Sequence, residues 1–162
     1  MNDRRSGSVL CLPILLLLSA APARAADPFD VHVARMSGTW TCSSVADGKT
    51  TTYVTTWSRL AGSRWLRGVN RSGASQSLDL ETYDAKQHLW RIVDLEPDGS
   101  MSVITGPASD PNHVTMQSHY PDLTQNVRYD RLTPDRYALT FDFILGGKPA
   151  HWVDNCTRQA KD

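Results

Sequence analysis

From residue 38 onward the chain is cut every 8 to 12 residues by turn chemistry, and the runs between the cuts are rich in Thr, Val, Tyr and Trp. The cuts include Asp47-Gly48, Gly62-Ser63, Ser72-Gly73, Pro97-Asp98-Gly99, Thr133-Pro134-Asp135 and Gly146-Gly147. Regular short strands between turns are the pattern of a sandwich or barrel. The reading predicts strands at 38–46, 50–60, 64–71, 76–83, 89–96, 100–105, 113–119, 125–132, 136–145 and 150–158. Most separators have the length of hairpin loops, so successive strands lie antiparallel in a meander. Such a sheet removes its exposed edges by closing on itself. The expected fold is therefore all-β: an up-and-down antiparallel β-barrel of about ten strands.

Two segments precede the strands. Residues 1–25 combine Arg4 and Arg5, an apolar run from Val9 to Leu18, and the small-residue end Ala23-Arg24-Ala25. These are the parts of a signal peptide. The apolar run is also shorter than the roughly 20 residues that span a bilayer. The expectation is an exported protein, periplasmic or secreted, whose mature part is a single domain at 26–162. Next, Phe29, Val33 and Met36 fall at i, i+4 and i+7, with Asp27, Pro28 and Asp30 ahead of or within the first turn. That arrangement predicts a short N-terminal helix ending before Gly38.

Without residues 1–25 the chain carries 14 basic and 16 acidic residues and no Lys/Arg run. The balance argues against nucleic acid or an anionic membrane as a partner. It also leaves two cysteines, Cys42 and Cys156, which an oxidising compartment favours as a disulfide. If the first and last strands are antiparallel neighbours with these two opposed, Trp40 meets Arg158 and Ser44 meets Asp154. Opposed residues lie roughly 5 Å apart at Cβ, within disulfide reach. A Trp face beside a guanidinium is itself a favourable pair. One register thus serves both contacts and closes the barrel.

Gly38-Thr39-Trp40 on the first strand after a short helix, with Arg158 on the last strand, resembles the calycin superfamily of lipocalins, fatty-acid-binding proteins and nitrobindin-type barrels. Adding Gly62-Ser63-Arg64-Trp65-Leu66, Tyr83-Asp84 and Cys156-Thr157-Arg158, the layout is most similar to a bacterial exported calycin-like domain family of unknown function. The resemblance implies a barrel whose Trp40 closes the base beneath Arg158. The nitrobindin-type haem barrels carry a longer G-x-W-x-G-x-G start, whereas Thr41-Cys42-Ser43-Ser44 follows Trp40 here. The glycines that let a chain approach a porphyrin are absent, so no cofactor is expected, with haem kept as the lesser alternative and His151 as its candidate ligand.

Residues able to carry chemistry are scattered. No H-x-x-x-H on a helix, C-x-x-C, G-x-S-x-G or phosphate-binding glycine loop occurs, so neither a metal site nor a catalytic residue is assigned. Asp79 with Glu81, and Asp94 with Glu96, share strand faces, where solvated outer positions are the expectation. His151, beside Trp152, could line a cavity. Asp154 has the parity of Trp40 and Trp152, which would set a carboxylate inside the barrel, to be paired by Arg67, Arg91 or Arg128. The 89–96 strand carries large apolar groups on both faces and leaves its inner side open. Asn70-Arg71-Ser72 and Asn155-Cys156-Thr157 fit the N-x-[S/T] pattern, a frequent chance match.

Trp40, Trp57, Trp65, Trp90 and Trp152, with five Tyr, are many aromatics for this length. They can line a pocket or fill the core. The leading reading is a non-catalytic barrel binding a small, largely apolar molecule through Trp57, Trp90, His119, Trp152 and Asp154. The alternatives are an enzyme with its site in the barrel mouth, and an envelope interaction or inhibitor protein that contacts a protein partner through loop 106–112 or 120–124.

Overall fold

The computed structural model describes residues 26–160 except 109, 111, 121–124 and 146. The signal-like residues 1–25 and parts of the two loops considered for partner binding lie outside the described residues. The chain forms helix α1 (Pro28–Met36), then β1 (Gly38–Ala46), β2 (Lys49–Arg59), β3 (Leu66–Ser72), β4 (Ser75–Asp84) and β5 (Leu89–Leu95). It continues with β6 (Met101–Pro107), β7 (His113–Tyr120), β8 (Gln125–Thr133), β9 (Arg136–Leu145) and β10 (Lys148–Arg158). Each strand is antiparallel to the one before it, and β10 returns to β1, so the ten strands make a closed barrel.

The closing pair has the register expected from the cysteines: Cys42 faces Cys156, Trp40 faces Arg158, and Ser44 faces Asp154. Cys42 and Cys156 are joined as a disulfide with their Cα atoms 4.1 Å apart. Elsewhere the expected strand ends shift by a few residues where ladder pairing runs on into the turns. Examples are β2 beginning at Lys49 and β10 at Lys148.

Helix α1 plugs one end of the barrel. Asp27 caps it by accepting from the Phe29 N–H at 2.9 Å, and Pro28 costs nothing in the first turn, where no intrahelical N–H bond is due. Phe29 and Met36 are buried, and Val33 packs against the core. Arg64 of the β2–β3 connection and Arg59 at the end of β2 reach Asp27 and Asp30 at 2.8 and 3.0 Å. Both guanidiniums also stand 5.1 Å from the centre of the Phe29 ring.

The G-x-W segment completes the plug. Trp40, 2 % exposed, donates its indole N–H to the Met36 carbonyl at 2.8 Å. The Arg158 guanidinium lies 4.0 Å from the Trp40 ring centre and donates to the carbonyls of Ser37, at 2.6 Å, and Arg35. Gly38 has φ +125°, and a Cβ there would stand 2.9 Å from an Arg158 nitrogen. The glycine is thus required twice, by its backbone conformation and by the arginine packed on it.

Candidate functional site

Above this plug the barrel is hollow. A cavity of about 650 Å³ runs from α1 to the exposed residues Ser72, Ser75 and Pro97 at the opposite end. It is large enough for an organic molecule of moderate size. Its lower wall is apolar and aromatic, including Trp57, Trp90, Ile104, Met116, Tyr129 and Phe141. Gly68 lets the β3 backbone lie against the Trp57 ring, since a Cβ there would stand 2.7 Å from it. His32 of α1 enters from below, 4.6 Å from Trp90 between ring centres, and meets Glu81 Oε2 at 2.6 Å.

A polar belt crosses the cavity above the aromatics. On β4, Asp79 accepts from Asn70 Nδ2 at 2.8 Å, and Asn70 also donates to Ser77 at 3.2 Å. On β5, directly opposite Asp79 in the register, Asp94 accepts from Ser102 Oγ at 2.8 Å. Across the barrel Tyr53 donates its phenol O–H to Asp154 Oδ2 at 2.8 Å. Asp154 is 7 % exposed and its Oδ1 is buried without a hydrogen-bond partner, as are the indole N–H groups of Trp57 and Trp152.

Burial governs the protonation of this belt. It raises Asp79 well above the usual carboxyl range, the facing Asp94 charge adds to the rise, and the Asn70 hydrogen bond opposes it. Asp94 is pushed up to about 6 by burial against the Ser102 hydrogen bond, with Glu81 and Glu96 adding to the rise. Asp154 is raised by burial and held back by the neighbouring hydroxyls of Ser44 and Tyr53. The Tyr53 phenol is pushed far above its ordinary value by burial first, then by the charges of Asp154 and Tyr137, with Asp79 adding a smaller share. Like charges facing across a ladder and withdrawn from water disfavour joint ionisation. Among the described residues no three or more His, Cys, Asp or Glu are gathered closely enough to hold a metal ion.

Several expectations need correction. Asp79, Glu81, Asp94 and Glu96 line the cavity instead of standing on solvated outer faces, because Trp90 and Ile92 turn that side of β5 inward. Asp154 is inside as expected, but its partner is Tyr53 and not an arginine. Arg91 pairs with Asp84 and Arg128 with Asp130, both on the outer surface, and Arg67 is exposed. His151 is exposed and meets Asp142 at 2.7 Å, so it does not line the cavity. Asn70 faces the interior, where an N-x-[S/T] acceptor would be out of reach.

Of the residues expected to bind a ligand, Trp57, Trp90, Trp152 and Asp154 all line the cavity. His119 belongs to β7, but its side chain lies outside the described residues. Tyr53, Asn70, Asp79, Asp94 and Ser102 were not singled out as ligand contacts from the sequence. The signal that finds Asp79 and Asp94 is pairing across the 84–88 turn: once Tyr83 faces Trp90, Asp79 must face Asp94 on the aromatic side.

No protein-family model matches the chain, and no curated protein is significantly similar to it in sequence. Among solved structures, an S-type phycobiliprotein lyase, CPES, from Guillardia theta is similar with a TM-score of 0.58 at 10% identity, over 82% of this chain and 93% of that one. The structure of EF1p2_mFAP2b bound to DFHBI has a TM-score of 0.40 at 11% identity, over 78% and 95% of the two chains. The first likeness, with the closed ten-strand barrel, fits a calycin-like fold.

Proposed function

We propose that this protein is an exported, non-catalytic binding protein that holds a small molecule with a largely apolar body inside its barrel. The observation that carries the reading is the open cavity of about 650 Å³, which side chains could have filled and do not. A pocket of this size, lined mostly by apolar and aromatic side chains with a few convergent polar groups, has the form of a small-molecule site. Trp57, Trp90, Trp152 and Asp154 are the proposed contacts, together with His119. Export is supported by the signal-like residues 1–25 and by the Cys42–Cys156 disulfide. The layout of the G-x-W, Tyr83-Asp84 and Cys-Thr-Arg segments supports kinship with the bacterial exported calycin-like domains. The Guillardia protein is a lyase by name, and at 10% identity its likeness adds the fold and no activity.

Native mass spectrometry and an absorption spectrum of the protein purified from its export compartment test this reading. The expected result is a co-purifying organic mass of a few hundred daltons. A protein that emerges at its bare mass, and whose cavity takes up no small molecule, overturns it. Polar groups do converge in the cavity, as the enzyme alternative requires. A product mass that replaces the companion on incubation would favour that alternative.

A further inference from the structure

We propose that the ligand of this cavity is an organic cation, a protonated amine or guanidine on an apolar body, whose charge is held by Asp79, Asp94 and Asp154. The proposal rests on the cavity being a binding site and adds the chemical class of its occupant.

The hydrogen-bond partners of the belt supply the first argument. Asp79, Asp94 and Asp154 accept from an amide, a serine hydroxyl and a phenol, all neutral donors. A carboxyl withdrawn from water either keeps its proton or takes a counter-charge, and an ionised one held only by neutral donors retains much of its desolvation cost. Two such groups facing each other across β4 and β5 compound that cost. The cationic side chains around the cavity are engaged or peripheral. His32 is committed to Glu81, Arg35 of α1 donates to Asn112, and Arg71 is exposed at the mouth.

The second argument is independent of the carboxylate pair. Among the described residues Asp154 Oδ1 accepts no hydrogen bond of ordinary geometry, with only the Ser44 hydroxyl near its carboxyl besides Tyr53, on a side chain 7 % exposed that lines the cavity. Buried polar atoms of this kind are rare in folded proteins, and each calls for a partner of complementary character. The missing group is a donor, which an ammonium or guanidinium supplies in excess.

The cavity excludes simpler cations. Its volume of about 650 Å³ far exceeds one ion, and among the described residues no carboxylate cluster is close enough to ligate a metal. Below the belt, Trp57, Trp90 and Tyr129 present apolar walls for the body of the molecule and ring faces that attract a nearby cation. An anion would meet carboxylates and the acceptor face of Asp154, and is disfavoured.

Three probes sharing one fluorophore test the assignment on the full exported chain: dansylcadaverine, which carries a free amine; its N-acetyl derivative, which is neutral; and dansyl-6-aminohexanoic acid, which is anionic. Near neutral pH, dansyl emission should report the amine binding about tenfold or more tightly than either analogue, as expected for a desolvated charge pair. The Asp79→Asn, Asp94→Asn double variant should lose that preference, the ratio of amine to acetyl-probe affinity falling toward one. The single Asp94→Asn variant provides the same readout with a smaller perturbation. Equal binding of amine and acetyl probes, or an undiminished preference in both variants, overturns the cation assignment and leaves the binding reading intact. If no probe binds, the co-purifying mass decides: a neutral or anionic companion overturns the assignment alone, and a bare protein overturns both.

Discussion

The two walls of this barrel obey opposite rules. On β8, β9 and β10 the inner face carries Val127, Tyr129, Tyr137, Leu139, Phe141 and Trp152, while the outer face carries ion pairs such as Arg128–Asp130 and His151–Asp142. On β4 and β5 the inner face carries Asp79, Glu81 and Asp94 beside Tyr83, Trp90 and Ile92, and the half-buried Leu78, Leu80, Val93 and Leu95 look outward. Apart from Asp154 on β10, the first wall follows the ordinary partition of apolar and polar groups between core and water. The second is inverted, and the inversion coincides with the cavity. A wall that lines an open cavity is not packed against facing side chains, so its inner face need not be its more apolar one.

If the contrast is real, the conventional side should carry the stability. The largest effect is expected at the β1–β10 seam. The Cys42→Ser, Cys156→Ser variant releases a cross-link with a sequence separation of 114 and should lose roughly 4 to 5 kcal/mol in guanidinium denaturation. Next comes the packed base. Trp40→Ala removes the ring between α1 and Arg158 and should cost about 3 to 5 kcal/mol in the same assay. A cost below about 1 kcal/mol would mean that the plug is not where the barrel is held shut.

The inverted wall should respond with the opposite sign. In the unliganded protein, Asp79→Asn with Asp94→Asn removes two crowded buried acids and should stabilise it near neutral pH, by on the order of 2 kcal/mol. The pH dependence follows. A carboxyl whose pKa is higher folded than unfolded keeps its proton longer in the folded state, so its contribution to stability is complete below the unfolded value of 3.8. It is lost as pH rises through the folded value, about 6 for Asp94 and raised in the same direction for Asp79. The parent should thus lose stability between about pH 4 and 7, and the double variant should show a flatter profile. Asp130 works the other way, because the His113 and Arg128 hydrogen bonds hold it low against burial, so its contribution is lost only in stronger acid. The smallest effect is expected outside: Leu80→Thr on β4 should change stability by less than about 1 kcal/mol by thermal melting, whereas Ile104→Thr inside should cost several times that.

The same contrast explains what could be read from the sequence. The seam was legible because Cys42 with Cys156 and Trp40 with Arg158 constrain one register from two kinds of chemistry. Asp154 followed from it, since it shares a face with Trp152 and Cys156. The base was legible through Gly38-Thr39-Trp40. On β5, however, Trp90 and Ile92 compete with Leu89, Val93 and Leu95 for the label of inner face, and periodicity cannot decide between two apolar sides. The acids were therefore assigned to water by the usual partition, the rule this wall breaks. Tyr53 as the partner of Asp154 was likewise invisible, because β1 lies between their strands and only the closed barrel brings them within hydrogen-bond distance.

The joining of β1 to β10 also sets the order of events as the chain is made. Residues 38–46 must wait for residues 148–158 before the sheet has its last ladder, so no shorter segment leaving the ribosome can complete the enclosure. Loss of even the final dozen residues would leave two open strand edges exposed to pairing with other chains. The linked thiols are therefore a chemical receipt for a finished molecule: free sulfhydryls at 42 and 156 would mark chains that had not yet enclosed an interior.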